Sequence, residues 1–422
     1  MSKNVRLENR AFIALWVGSV LLMLYSTSRA WTVTAVALTV ILGVAYWWAQ
    51  ELSLGVMVDR ERRYGWAQVG DLLEEQFTLA NRAPVPALWV EIQDQSTLPG
   101  YKASLVVAIG GGATTRWRVE GVCQQRGVFN LGPWSVQMSD PFGLFQVTLA
   151  YPQVASFVVY PRVAHLPGIQ LPRGEAPGSA RHHERALADT TDAGGVRPHT
   201  SGDALRRVHW PTTARRRELF VKEFDLEPSG DLWILLDLDG TVQAGQGADS
   251  TEEMGVTIAA SLTHAALAEN RAVGLAISGK QPALLGPNKG RDQLWRVLRA
   301  LAQGRAGAGP DLAELLRRVR VNVARGLTMA IITPACTPDW PVELLALQRR
   351  GVAATTILLD PVSFGGSSNA WAMRSLLADL GVGCQIVQHG MPLPPVFKVK
   401  PQGRPEYRIG ATGRLIQVNG QR

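Results

Sequence analysis

The chain opens with two long runs that contain no charged side chain. Residues 11–25 read AFIALWVGSVLLMLY and residues 31–49 read WTVTAVALTVILGVAYWWA, with STSRA between them. Neither run has the polar face that a soluble amphipathic helix requires. The second is long enough to cross a bilayer alone, and the first becomes so if residues 26–28 are counted. The pattern predicts a two-helix transmembrane hairpin over residues 1–50, with helices at 11–28 and 31–49. Trp16, Tyr25, Trp31, Tyr46, Trp47 and Trp48 fall near its expected interfaces, where amphipathic rings settle. A cleaved signal peptide fits less well, because a second full span follows at once and no small-x-small cleavage site separates the runs.

From residue 51 to 165 the period changes to two. EQFTLANR, ALWVEIQD, ASLVVAIGGGATTRWRVEG, GVFNLGPWSVQMSD and ASFVVYPRV alternate apolar and polar positions and are parted by Gly, Pro, Asn and Asp. Short strands at this spacing predict an antiparallel β-sandwich-like domain. Gly110, Gly111 and Gly112 lie between two such strands with no helix behind them, so they are expected to form a hairpin turn and not a phosphate loop. Residues 166–227 read as a linker rich in Pro, Gly, Arg and His, followed by an arginine-rich segment in which Trp210 is expected to be a buried anchor.

Residues 228–390 alternate strand-like and helix-like runs, beginning with DLWILLDLD and ending with GCQIVQ. That order calls for an α/β doubly wound sheet with helices on both faces. Ligands of such sheets sit at the carboxyl ends of the strands, where Asp237, Asp239, Thr241 and Thr333 fall. Residues 391–422 form a basic tail suited equally to lying along anionic lipid and to a solvated extension.

Composition narrows the function classes. Of 422 residues, 46% are hydrophobic and only 18% charged, which points toward lipid contact. The net charge of +8 draws the chain to polyanions. Arg206, Arg207, Arg215, Arg216 and Arg217 would suit nucleic acid, but Glu218, Glu223, Asp225 and Glu227 follow and few aromatics interleave, so no nucleic-acid partner is expected. Lys3, Arg6 and Arg10 precede the hairpin and Arg60, Arg62 and Arg63 follow it, against Arg29 alone between the helices. The positive-inside rule therefore places both termini and the soluble domains in the cytoplasm. Cys123, Cys336 and Cys384 are too widely spaced for a disulfide framework or a zinc site.

Two motifs are more specific. RGVFNLGP with DPFGLF carries Arg126, Gly127, Asp140, Pro141, Phe142 and Gly143. VRPHTSGDALRRVHWPTTARRRELFVKEF carries Arg197, Gly202, Asp203, Arg206, His209, Trp210, Ala214 and Arg215. Their order and distance resemble the bacterial membrane-anchored family known as domain of unknown function number fifty-eight, over nearly the whole chain. The aromatic usually third in Arg-x-Tyr is His199 here. The resemblance implies a C-terminal domain similar to von Willebrand factor A and a protein of the bacterial plasma (inner) membrane. It also implies an interaction or scaffold role beside a MoxR-type AAA+ ATPase, in assembly or maturation of a partner complex.

The stretch Asp237-Leu-Asp239-Gly-Thr241 admits three readings. In haloacid-dehalogenase-type phosphatases such a motif supplies a nucleophilic Asp, here Asp237, and an acid/base, here Asp239, with magnesium balancing the phosphate. Thr333 and Lys280 or Lys289 would complete that site, but no acidic pair follows Asp360. In a metal-ion-dependent adhesion site, oxygens at i, i+2 and i+4 converge on a hard cation such as Mg2+. Asp237, Asp239 and Thr241 fit that spacing, with Thr333 on a later loop, yet Thr333-Pro334-Ala335 lacks the carboxylate common there. A plain turn capping the next helix is the third reading. The adhesion-type site in degenerate form is the expectation, with no enzyme activity; the phosphatase is the alternative.

Overall fold

The structure is a computed structural model that describes residues 2–26, 28–62, 64–169, 195–198, 208–223, 231–321, 327–396, 406–409 and 415–418. Helices α1 (Arg10–Tyr25) and α2 (Arg29–Gly55) lie side by side, and the Trp16 indole N–H donates to Thr39 Oγ1 at 2.9 Å. α1 ends at Tyr25, short of the expected 28, and spans roughly 24 Å at 1.5 Å per residue. α2 is long and apolar enough to cross a membrane. It also runs past the expected end at 49, because Ala49, Leu52 and Val56 are buried in the core of the domain that follows. The Trp48 indole N–H donates to Pro86 O at 3.1 Å, fixing the helix to that domain.

The β domain contains, in chain order, β1 (Ser2–Leu7), β2 (Val56–Arg62), β3 (Trp66–Gln68), β4 (Leu72–Asn81), β5 (Ala87–Asp94) and β6 (Leu105–Ile109). These are followed by β7 (Thr114–Val122), β8 (Gly127–Leu131), β9 (Trp134–Ser139), β10 (Phe145–Tyr151) and β11 (Ala155–Tyr160). Sheets ordered β1-β10-β9-β5-β6, β2-β4-β7 and β3-β11-β8 enclose one core. Strict alternation along β4 turns Leu73, Phe77 and Leu79 inward, where Phe77 meets Trp134 of β9 edge to face at 6.3 Å. Glu75 shares that inner face, and Arg60 balances its charge by bridging Glu75 at 2.7 Å and Asp94 at 2.9 Å.

Two expectations need correction here. The Gly110–Gly112 segment does not close a hairpin, since β6 pairs with β5 and β7 with β4, so the turn passes from one sheet to another. Glycine is needed there because a Cβ at Gly111 would sit 2.6 Å from Pro84 O. The domain also begins earlier than residue 51: Ser2–Leu7 pairs antiparallel with β10, from Ser2 opposite Ala150 to Leu7 opposite Phe145. Six mostly polar residues give no strand signal, and the ladder is supplied by the partner.

The DPFG motif is a tight turn between β9 and β10. The buried Asp140 carboxylate accepts the N–H groups of Phe142 at 2.8 Å and Phe145 at 2.6 Å, and Gly143 turns the chain at φ 64°. In the arginine-rich segment, β12 (Gly195–Pro198, containing Arg197) pairs with β13 (Phe220–Glu223). α3 (Trp210–Arg216) lies between them in sequence, its first turn capped by the His209 imidazole, which accepts from Thr212 N at 3.3 Å. None of the α3 residues is buried, Ala214 and Arg215 included. Trp210 is accordingly 67% exposed, not the expected anchor. Gly202, Asp203 and Arg206 fall outside the described residues.

The α/β domain is built on β14 (Leu232–Leu236), a two-residue ladder of β15 (Gly245–Gln246) with β16 (Asp249–Ser250), α4 (Thr251–Ala268), β17 (Val273–Ile277) and β18 (Ala283–Asn288). It continues through α5 (Gly290–Gln303), α6 (Leu312–Arg320), β19 (Thr328–Thr333), α7 (Asp339–Gln348), β20 (Ala353–Leu359), α8 (Ala370–Asp379) and β21 (Gly383–Val387). The sheet order is β18-β17-β14-β19-β20-β21, parallel except for the edge strand β18. β14 shows why the sequence folds this way. Leu232, Ile234 and Leu236 face α4 and α5, while Trp233 and Leu235 face α6, α7 and α8, so each strand is buried on both sides. Val163 at the end of the β domain and Leu166 and Ile169 of the expected linker also pack on this core, and Ala164 bridges to Pro395. The basic tail therefore starts attached to the domain.

Arg126 joins the two domains. Its side chain is fully buried, donating from Nε to Leu301 O at 3.1 Å and from Nη2 to Gly304 O and to Glu252 Oε1, both at 2.6 Å. Nη1 pairs with Glu253, and Arg305 reaches back to Arg126 O and stands 3.6 Å and 3.5 Å from the two glutamates. Burial, then the nearby Arg305, pulls the guanidinium down to about 10, which leaves it charged at neutral pH. Trp295 of α5 adds an apolar contact, with ring centroids 5.1 Å from Trp66 and 5.2 Å from Tyr160. Replacing Arg126 by Met should cost about 3–5 kcal/mol, the range for breaking a buried charge pair. In differential scanning calorimetry of the detergent-solubilised chain, the two domains should then melt separately at temperatures that the wild type does not resolve.

Candidate strand-end site

The strand order reverses between β14 and β19, since the chain passes from β14 outward to β17 and β18, then returns to build β19, β20 and β21 on the other side. The crevice outside the carboxyl ends at such a switch point is where open α/β sheets bind ligands. Asp237 follows β14 and Thr333 ends β19, so both border that crevice.

Asp237 is 2% exposed and all its bonds point inward. Oδ1 accepts from Asp239 N at 3.0 Å and from Ser278 Oγ at 3.0 Å, and Oδ2 accepts from Thr333 Oγ1 at 2.7 Å. Thr333 Oγ1 in turn accepts Ala335 N at 2.9 Å, and Ser278 Oγ accepts Leu238 N at 2.7 Å. Burial pushes the Asp237 carboxyl above the usual carboxylate range, against the opposite pull of the Thr333, Asp239 and Ser278 bonds. Asp239 is only half-buried. It accepts Thr241 N at 3.0 Å through Oδ1, and Thr241 is exposed. The loop is pinned from outside as well. Gly240 N donates to Gly307 O at 3.1 Å and Gly307 N to Leu238 O at 3.1 Å, an approach so close that a Cβ on Gly240 would lie 2.9 Å from Gly307 Cα.

The four predicted metal residues are thus brought together but do not fit a resident magnesium ion. A hard divalent cation takes six or more oxygens. Here both oxygens of Asp237 and the Thr333 hydroxyl are already committed to one another, which leaves Asp239 and Thr241. Among the described residues no group of three or more His, Cys, Asp and Glu side chains could hold a metal ion. For the nucleophile role, the Asp237 carboxylate is buried and accepts three hydrogen bonds, so in this arrangement it presents no free oxygen to a phosphorus atom. Lys289 stands at the other edge of the sheet: it follows Asn288, which pairs with Val273 at the start of β17. Lys280 is on the correct side, and its side chain lies over Gly307.

Sequence reading missed one contributor, Ser278. It carries a signal of sorts, a hydroxyl directly after the strand VGLAI. Asp360, buried at the end of β20, accepts from Gln388 Nε2 at 3.3 Å and is one strand further from the switch point.

Residues 195–362 match the family described as "Protein of unknown function DUF58". The uncharacterized protein YeaD of Bacillus subtilis is 25% identical over 311 residues, covering 69% of this chain and 72% of its own length. The uncharacterized protein Mb1516 of Mycobacterium bovis is 26% identical over 176 residues, which is 40% of this chain and 56% of that protein. Among solved structures, the SpRpn10 VWA domain aligns over 39% of this chain and 88% of its own, at 11% identity and TM-score 0.27. Proximal thread matrix protein 1 from the mussel byssus aligns over 38% and 43%, at 12% identity and TM-score 0.28.

The sealed carboxyl has a pH signature. A group whose pKa is raised on folding contributes stability that is present below its unfolded pKa and is lost as pH rises through its folded pKa. Asp237→Asn removes that dependence: the amide oxygen keeps the Asp239 N and Ser278 bonds, and the Thr333 hydroxyl can turn to accept from the new NH2. Melting temperatures of the two proteins should therefore be close at pH 4, and the Asn variant should gain on the wild type as pH rises to 8.

Proposed function

We propose that this is a membrane-anchored interaction protein whose α/β domain docks a protein partner at the strand-end rim formed by Asp239 and Thr241. The observation that carries this reading is the division of labour in the loop. Asp237 is sealed and holds the turn together, while the next two polar positions are presented outward at a topological switch point. A carboxylate and a hydroxyl on a rigid turn recognise the backbone N–H groups or basic side chains of a partner without needing an ion. This is the geometry of an adhesion-type site reduced to its scaffold, with magnesium no longer central.

The anchor in this reading is α2 with α1 beside it, in the bacterial plasma membrane, and the excess of basic residues flanking the pair puts the soluble domains on the cytoplasmic side. The partner suggested by the family resemblance is a MoxR-type AAA+ ATPase, with the complex acting in assembly or maturation of a further protein. Against a haloacid-dehalogenase-type phosphatase stands the burial of Asp237, the carboxylate that reading makes its nucleophile.

Full-length protein should co-purify with the ATPase encoded nearby, and Asp239→Ala combined with Thr241→Ala should abolish this while leaving the melting temperature close to wild type. The complex should survive chelation by EDTA. Magnesium-dependent hydrolysis of p-nitrophenyl phosphate that disappears in Asp237→Asn would instead establish the phosphatase.

A further inference from the structure

The DPFG turn takes no part in the strand-end site; it stands at the end of the sandwich from which the helices leave. β1 ends at Leu7, opposite Phe145, and α1 begins at Arg10, with Glu8 N donating to Leu144 O at 2.8 Å. Tyr46 of α2 meets Phe145 edge to face at 5.6 Å. Across the same sheet, Val90 pairs with Met138 next to the turn, so the start of β5 lies three strands from the exit of α1, about 14 Å at the usual strand spacing. The Trp48 bond to Pro86 O brings that same segment against α2.

This end carries large apolar side chains that the core does not use. Phe142 at the tip of the turn is 51% exposed, Leu88 is 57% and Trp89 is 37%. Leu88 and Trp89 are neighbours in a strand, where alternation should bury one of them. The register shift between Ala87 and Val90 turns both outward, the kind of local bulge that re-aims side chains. Tyr46 and Trp47 on α2 are half exposed at the same end. Two cations accompany them: Arg10 opens α1, and Arg82, whose N–H donates to Gly55 O at 2.9 Å, is exposed beside the end of α2.

We propose that Phe142, Leu88 and Trp89 form a collar that seats in the headgroup and acyl boundary of the bilayer holding α2, with Arg10 and Arg82 facing anionic headgroups. This rests on the membrane-anchoring reading above. The occupant is lipid because the patch is continuous with the candidate span through Tyr46, Trp47 and Trp48, and because exposed rings with basic residues suit an interface that is apolar on one side and anionic on the other. The collar gives the DPFG turn a purpose. Asp140 locks the turn so that Phe142 is held out toward lipid, and the sandwich is then fixed at a set height and tilt over the membrane.

The test uses the full chain in vesicles of phosphatidylethanolamine and phosphatidylglycerol, with p-benzoylphenylalanine placed at position 142, 88 or 72. Leu72 is the control, since it is 43% exposed at the far end of β4 from Asn81, the residue that pairs with Val56 just below α2. Irradiation should give phospholipid adducts at 142 and 88 and none at 72. Adducts to protein only, or no lipid adduct at 142 and 88 from a chain that resists carbonate extraction, overturns the collar and leaves the anchor standing. Release of the chain by carbonate overturns both.

Discussion

The buried Arg126 guanidinium sets the constraint on which the remaining geometry depends. Taking a full charge out of water costs several kcal/mol unless every donor finds an acceptor, so a single side chain with this many bonds fixes its surroundings in one arrangement. The surroundings come from three places: the carbonyls that end α5, the first turn of α4, and Arg305 in the loop behind α5. That loop continues directly to Gly307, which pairs with Leu238 and Gly240 of the strand-end turn. The β domain, through one arginine, therefore touches the two segments that frame the candidate docking rim. The link from Arg126 to the turn at Asp237 runs through Arg305 and the backbone hydrogen bonds of Gly307, only a few residues long.

This gives the β domain a different character from a spacer. Its upper end grips the helices through Leu52, Trp48 and the β1 ladder, and its flank grips the α/β domain through Arg126 and the Trp66, Tyr160 and Trp295 rings. The three parts of the chain form one connected path from the helical pair to the strand-end turn. Glu252 and Glu253 serve it twice, as partners of Arg126 and as first-turn carboxylates that favour the positive end of α4.

Much of the α/β domain was legible because its elements have strong periodicity and are buried on both faces; LWILL and TMAIIT announce parallel strands without help from context. β18 was not, since ALLGPN contains Gly and Pro and becomes a strand only by pairing with the edge of β17. The same holds for Ser2–Leu7. Within the site, the positions of Asp237, Asp239, Thr241 and Thr333 followed from strand ends, but their chemistry did not. Whether a carboxylate faces a cation or its own neighbours depends on two hydroxyls, Thr333 and Ser278, that lie 96 and 41 residues away in sequence. Arg126 was legible only as part of a motif, because its acceptors, two glutamates and two backbone carbonyls, lie 126 to 178 residues further on.

The pairing of β1 with β10 has a consequence for how the chain can thread a bilayer. Residues on both sides of the helical pair are built into one β domain around a shared core, so the path from Leu7 to Val56 must return to the side from which it started. The number of crossings between those residues is even. If α2 crosses, a single-span arrangement is forbidden and α1 must cross too, although its 16 residues are short for the hydrocarbon layer. A span that short is then accommodated by local thinning of the bilayer or by snorkelling of its flanking residues, so a six-residue strand ahead of the first helix bears on the shape of the lipid around it.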